Sequence, residues 1–105
     1  MTYSVSISEQ AAADLHGIYQ YIAGQLLSTI NAAAQLSRLE QVIYSLKQMP
    51  QRYRRYDKEP WYSRGVRIVP VDHYCILYHP DQERKHVTIL RIVYGGRDLD
   101  KVLRE

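Results

Sequence analysis

The chain has 105 residues, with 14 basic against 11 acidic side chains and a formal charge of +3. That length fits one domain, 1–105, able to bury roughly 60–70% of its unfolded surface without a metal or disulfide. A single cysteine, Cys75, excludes an internal disulfide and a cysteine-based zinc site. No apolar run approaches the roughly 18 residues of a membrane span, and the opening MTYSVSISEQ lacks a leader's basic-then-apolar layout, so a soluble, cytoplasmic protein is expected.

In chain order, Tyr3, Val5 and Ile7 alternate with Ser4 and Ser6, the period-two pattern of a half-buried strand. Ser8 then suits the cap of a helix whose first turn holds Glu9, at the positive end of the dipole. Ala11, Leu15, Ile18 and Ile22 line one face of that helix, and Gly24 weakens it after Ala23. A second helix is predicted from Ser28 or Thr29, with the stripe Ala32, Leu36, Leu39, Ile43 and Leu46 and a stop at Pro50. The short link between them implies an antiparallel hairpin.

Residues 51–63 show no sustained period. The charge excess is concentrated here: residues 50–70 hold six basic groups (Arg52, Arg54, Arg55, Lys58, Arg64, Arg67) against two acidic ones, interleaved with Tyr53, Tyr56, Trp61 and Tyr62. Such a mixture suits phosphate contact and base stacking, or an acidic protein partner, and equally a solvated loop over the edge of a core. Three strands follow at about 64–69, 73–79 and 86–94, the last two joined by the turn Pro80-Asp81-Gln82-Glu83. Pro70, with no N–H, is expected at a strand end or bulge. Alternation puts Tyr74, Ile76 and Tyr78 on one face and His73, Cys75, Leu77 and His79 on the other. In the last strand it sets Leu90, Ile92 and Tyr94 against Val87, Ile89, Arg91 and Val93. Both faces are apolar, so one packs on the hairpin and the other needs a second cover or a partner.

The chemistry on offer is narrow. No Walker loop, GxGxxG, HExxH or GxSxG is present. The histidines His16, His73, His79 and His86 do not recur at metal-ligand spacing, and Cys75 reads as an inert buried thiol, so no metal or cofactor is expected. Gly95-Gly96 reads as a turn. What is left is a set of cations and hydroxyls: Arg67, Arg91 and Arg97 with Tyr74, Tyr78, Tyr94 and His73. A base, an arginine to hold developing phosphate charge and an acid are what metal-free RNA cleavage needs, and the same residues serve as core and ion pairs.

The order strand, helix hairpin, three-stranded meander resembles the RelE/ParE superfamily of bacterial toxin–antitoxin toxins. Ala13-Asp14-Leu15 with Ile18 and Tyr21-Ile22 is similar to that superfamily's first helix, and Leu46 to Pro50 to the end of its second. Arg67-Ile68-Val69-Pro70-Val71 through Tyr74, Ile76 and Tyr78 looks like the core of ParE-type members. Arg91-Ile92-Val93-Tyr94-Gly95-Gly96-Arg97-Asp98 looks like their closing segment, with Tyr94 where histidine is common. The resemblance implies an α+β fold, helices on one face of an antiparallel meander, and a cognate antitoxin as partner. It points to two targets. ParE-type members poison DNA gyrase. RelE-type members cut mRNA on the ribosome, and there Arg67, His73, Tyr94 and Arg97 would be the candidate catalytic set. In that branch an arginine follows the third-strand tyrosine and a tyrosine stands near the C-terminus; here Cys75 and Leu103 occupy those places. The ParE-type reading therefore comes first, RNA cleavage second, and a non-toxic antitoxin-binding member third. Arg54, Arg55, Trp61, Arg64, Arg67, Arg91 and Arg97 are the candidate contacts for target or antitoxin.

Overall fold

A computed structural model describes residues 2–104. The expected order is present: β1 (Ser4–Ile7), α1 (Glu9–Gln20), α2 (Thr29–Ser45), β2 (Arg67–Val71), β3 (Tyr74–Asp81), β4 (His86–Tyr94), and then an unforeseen α3 (Leu99–Arg104). The four strands form one sheet in the order β1-β4-β3-β2. β1 runs parallel to β4, with Ser4 opposite His86 and Ile7 opposite Ile89, while the other pairs are antiparallel.

The caps follow the sequence. Ser8 accepts from Ala11 N at 3.0 Å and Ser28 from Asn31 N at 3.2 Å, each satisfying a donor that a helix start leaves open. α1 passes into a π-helical turn, Tyr21–Gln25, at the glycine expected to weaken it. α2 ends at Ser45, ahead of the expected stop at Pro50. The chain has already turned there, because the Lys47 carbonyl takes the Tyr3 N–H and Met49 adopts φ 46°, so Pro50 opens a short 3-10 turn instead.

Four strand expectations are corrected. The first meander strand starts at Arg67, not near 64, and Pro70 lies inside it opposite Cys75 rather than at its end or in a bulge. β2 is an edge strand, and the alternate groups at Ile68 face outward, where Ile68 N bonds the Arg54 carbonyl. Pro70 shares that parity, so its missing donor costs no ladder bond. The irregularity sits in β4 instead: Leu77 pairs with Arg91 but Tyr78 with Ile89, leaving Leu90 as the extra residue. Beyond this bulge the alternation changes phase. Val87 and Ile89 therefore join Ile92 in the helix-side core, and Leu90 packs with Val93 on the opposite face, contrary to strict alternation. The hairpin turn likewise comes later than expected, since β3 runs through Asp81, whose carboxylate accepts from Glu83 N and Arg84 N.

Two cores result. The larger lies between hairpin and sheet: Ala11, Ile18, Ile22, Leu39, Ile43 and Leu46 pack on Val69, Ile76, Tyr78, Val87, Ile89 and Ile92. The smaller covers the second face with the chain's own residues, Tyr56, Val66 and Val102 against Ile68, Leu77 and Val93, so that face is not open. Tyr78 is fully buried and donates to the Pro50 carbonyl at 2.6 Å. At the margin of the larger core, Asp14 of α1 holds Arg91 through two bonds, at 2.8 and 3.0 Å, and accepts from Ile92 N at 2.9 Å. Arg91 also donates to the Val102 carbonyl of α3 at 3.0 Å.

Both members of the Asp14–Arg91 pair are 15% exposed, so removing one strands the other in a poorly solvated place. Asp14→Ala is expected to lower unfolding free energy by about 3 kcal/mol. Asp14→Leu combined with Arg91→Met is expected to recover part of that loss, both measured by urea titration. Burial pushes the Tyr78 hydroxyl up to about 12 from 10.0. An acid raised on folding contributes stability that is complete below its unfolded value and fades above it. Stability should thus fall between pH 10 and pH 12, and Tyr78→Phe, lower at neutral pH, should flatten that fall in equilibrium unfolding.

Candidate functional site

A hollow of about 580 Å³ opens where the end of α1 faces the ends of β3 and β4. Its walls include Asp14, Ile18, Tyr21, Tyr74, Tyr94 and Arg97. A second hollow of about 360 Å³ adjoins it, sharing Tyr21, Tyr74 and Tyr94 and adding Leu26, Arg38 and His73. The two form one groove around a tyrosine trio. Tyr74 and Tyr94 stand directly opposite each other across β3 and β4, which brings their rings edge to face at 6.1 Å and 86°. Tyr21 reaches the same spot because it falls off the buried stripe of α1, at the start of the π turn.

The groove's rim is fixed by hydrogen bonds. Gly95 N bonds the His73 carbonyl at 2.8 Å and Arg97 N the Tyr94 carbonyl at 3.1 Å, closing the end of β4 against the β2–β3 turn. Gly95 is packed under that turn, where a Cβ would meet the His73 carbonyl at 3.4 Å and Cys75 Sγ at 3.5 Å. Asp72 in the same turn receives Arg38 at 2.7 Å and Gln35 at 2.9 Å, and these donors hold its carboxyl below the usual range.

Three of the four residues proposed for RNA cleavage meet at this groove: His73, Tyr94 and Arg97. Arg67 does not. It stands opposite Tyr78, four residues or about 13 Å along β3 from Tyr74, with its guanidinium on the Tyr53 carbonyl at 2.6 Å. Among the contact candidates, Arg91 is held by Asp14 and largely buried, so it is not a surface cation. Arg55 stacks over Tyr62 at 5.2 Å and Arg64 over Trp61 at 5.4 Å, while exposed Arg54 gives its carbonyl to β2. Trp61 itself donates to Asp100 of α3 at 3.0 Å. The basic segment is thus a belt over the second core, and it lies outside the tyrosine groove.

Two groups at or near the groove are shifted by burial. Burial pushes the Tyr74 hydroxyl up, with the neighbouring Tyr21 and Tyr94 adding to the rise, so it remains protonated near neutrality. Burial likewise pushes the Cys75 thiol up, against a smaller lowering by Arg54, which removes its nucleophilic character. Among the described residues no cluster of three His, Cys, Asp or Glu is placed to hold a metal, and no helix is long and apolar enough to cross a membrane. Sequence reasoning placed Tyr21 in a helix motif and Tyr74 among several candidate hydroxyls, without joining the two. Their signal was faint, the step of Tyr21 off an otherwise regular helical stripe.

A parallel strand, a helix hairpin and an antiparallel meander closing on a tyrosine-lined groove define a small α+β toxin of the RelE/ParE type. The model of the ParE toxin family of type II toxin–antitoxin systems, parDE, matches residues 5–99, and the chain belongs to that family. In structure it is similar to a chromosomal ParDE system of P. aeruginosa (TM-score 0.73, 24% identity, 89% of this chain and 96% of that one). It is also similar to the RelBE2 toxin–antitoxin complex of Mycobacterium tuberculosis (0.65, 22%, 90% and 99%). A third likeness is to a mutant of E. coli RelE in the free state (0.69, 13%, 100% and 94%). Among curated proteins no sequence matches the chain.

Asp100 links the belt to α3, since it takes Trp61 and also pairs with Arg104 at 3.2 Å. Asp100→Ala should shift emission of the sole tryptophan to the red and cost about 1 kcal/mol of stability. Fluorescence-monitored urea unfolding checks both.

Proposed function

We propose that this toxin arrests growth by ParE-type poisoning of DNA gyrase, acting through binding, and that a cognate antitoxin neutralises it. The observation that carries this reading is the dispersal of the cations that RNA cleavage would need. Arg67 is anchored about 13 Å along β3 from the tyrosine groove, and Arg91 is bound to Asp14. Cys75, with its thiol held protonated, and Leu103 stand where the RNA-cleaving branch carries arginine and tyrosine. With Arg67 and Arg91 engaged elsewhere, a 2′-hydroxyl in the groove would have fewer cations to hold developing phosphate charge than the RNA-cleaving branch supplies. Membership of the ParE family supports the same reading.

The antitoxin part is supported by similarity to toxin–antitoxin assemblies and by the surface itself. The groove combines exposed aromatic area at Tyr21 and Tyr94 with Arg38 and Arg97 at its margins, a setting for an apolar segment with acidic flanks. One observation favours mRNA cleavage as a second reading: His73, Tyr94 and Arg97 border a single groove.

Purified toxin added to gyrase, ATP and relaxed plasmid should abolish supercoiling and leave linear, protein-linked DNA after detergent and protease. Unchanged supercoiling with no cleaved DNA refutes the gyrase reading. Primer extension on translated mRNA after induction decides the other: codon-positioned cuts that vanish in Arg97→Ala would establish RNA cleavage.

A further inference from the structure

Residues 54–67 fold back on themselves at the free edge of β2. Tyr56 N bonds the Val66 carbonyl at 2.9 Å and Ile68 N the Arg54 carbonyl at 3.1 Å, so a short added strand runs antiparallel to β2. These bonds bracket Arg55 and Arg67 as directly opposed residues that share no hydrogen bond. Their Cα atoms are then about 4.5 Å apart, with both side chains on one face. Like charges so placed repel and weaken the pairing. Neither guanidinium pairs with a carboxylate: Arg67 donates to the Tyr53 carbonyl and Arg55 lies over the Tyr62 ring. A separate polar hollow of about 360 Å³ opens at the two arginines, lined also by Gln51, His79, Asp81 and Glu83. Asp81 is committed to the amides of Glu83 and Arg84.

More cations flank the other side of this hairpin. Burial pushes the Tyr56 hydroxyl and the Cys75 thiol up, and Arg54 works against it at both, which places Arg54 beside the second core. Arg64 lies over Trp61 on that same side. Exposed arginines elsewhere carry a carboxylate: Arg38 has Asp72, Arg84 has Asp81 and Arg104 has Asp100. Among the described residues Arg54, Arg55, Lys58 and Arg64 have none. The hairpin holds five basic residues against two acidic ones, and one of the acids, Glu59, is turned back onto Ser63 N and Oγ.

We propose that this hairpin binds the phosphate backbone of duplex DNA, with one phosphate seated between Arg55 and Arg67. An anion there turns a repulsion into two charge-assisted contacts, and Arg54, Lys58 and Arg64 meet the neighbouring phosphates. The chemistry of the surface selects a duplex over other polyanions. A single strand binds by laying its bases on open aromatic faces, and here the rings are taken, Tyr62 by Arg55 and Trp61 by Arg64. An acidic protein needs an apolar centre to its interface, yet Tyr62, 46% exposed, is the one large apolar side chain that the hairpin exposes. The binding goes beyond gyrase poisoning and stands without it, because no gyrase takes part.

Fluorescence anisotropy of a labelled DNA duplex of about 20 base pairs, titrated with the full chain alone at about 50 mM salt, should give a micromolar Kd. Four or five phosphate contacts set the slope of log K against log salt at about −4. Arg55→Gln and Arg64→Gln should each weaken binding and flatten that slope by about 1, with unchanged circular dichroism. Lys47→Gln should do neither; it makes the same charge change beside β1, where the Lys47 carbonyl meets Tyr3. No binding at low salt, a slope near zero, or an equal loss in Lys47→Gln overturns the proposal. So does tighter binding of the single strand alone. Displacement of the duplex by poly-glutamate at equal charge concentration also overturns it, and would give the hairpin to an acidic protein.

Discussion

The bond on which the rest of the molecule depends is the one between Asp14 and Arg91. β1 is only four residues long and leaves β4 at Ile89, so the remaining half of β4 has no strand on that side. Asp14 supplies the missing acceptor for Ile92 N and turns the adjacent guanidinium toward α3. One carboxylate thereby fixes the height of α1 over the sheet, ends the sheet edge and seats the last helix. The alternative is an unpaired Ile92 N–H and a guanidinium without its counter-charge at the margin of an apolar core, both costly there. The tyrosine groove lies directly beside this junction, with Asp14 in its wall.

Much of this architecture was written in local patterns. The serine caps, the two helical stripes and the Tyr74, Ile76, Tyr78 alternation each follow from a spacing set by backbone geometry. The bulge at Leu90 was not legible, because it inserts no glycine or proline and alters only the pairing partner. Its effect is large, moving Val87 and Ile89 to the helix side. α3 was missed for another reason: six residues give fewer than two turns, too few for a periodic stripe. Without α3 the second face looks as though it needs a foreign cover. With it, Val102 and the Tyr56 to Val66 segment supply one.

The candidate site was legible in part. His73 and Arg97 line adjoining hollows that share Tyr94, since the strand ends that carry them are neighbours in the meander. Arg67 lies in the same sheet but not at the same height along it, and only register reveals that. Arg91 carried the opposite ambiguity, a cation whose charge is absorbed inside the fold. The basic segment, prominent in composition, proves to be a belt of arginines lying over their own aromatic neighbours. Net charge located a region of the surface and the pairing within it decided how much of that charge faces outward.

The pairing of β1 with β4 has a consequence for how the molecule comes into being. Ser4 and His86 touch across 82 residues, and β4 is both the last strand made and an inner strand of the sheet. On a translating ribosome neither the hairpin core nor the groove can close until β4 has emerged. Local helices can flicker earlier, yet the groove is assembled only after β4 has been made. By this topology a member of the ParE family has no assembled groove for as long as β4 is still to be made.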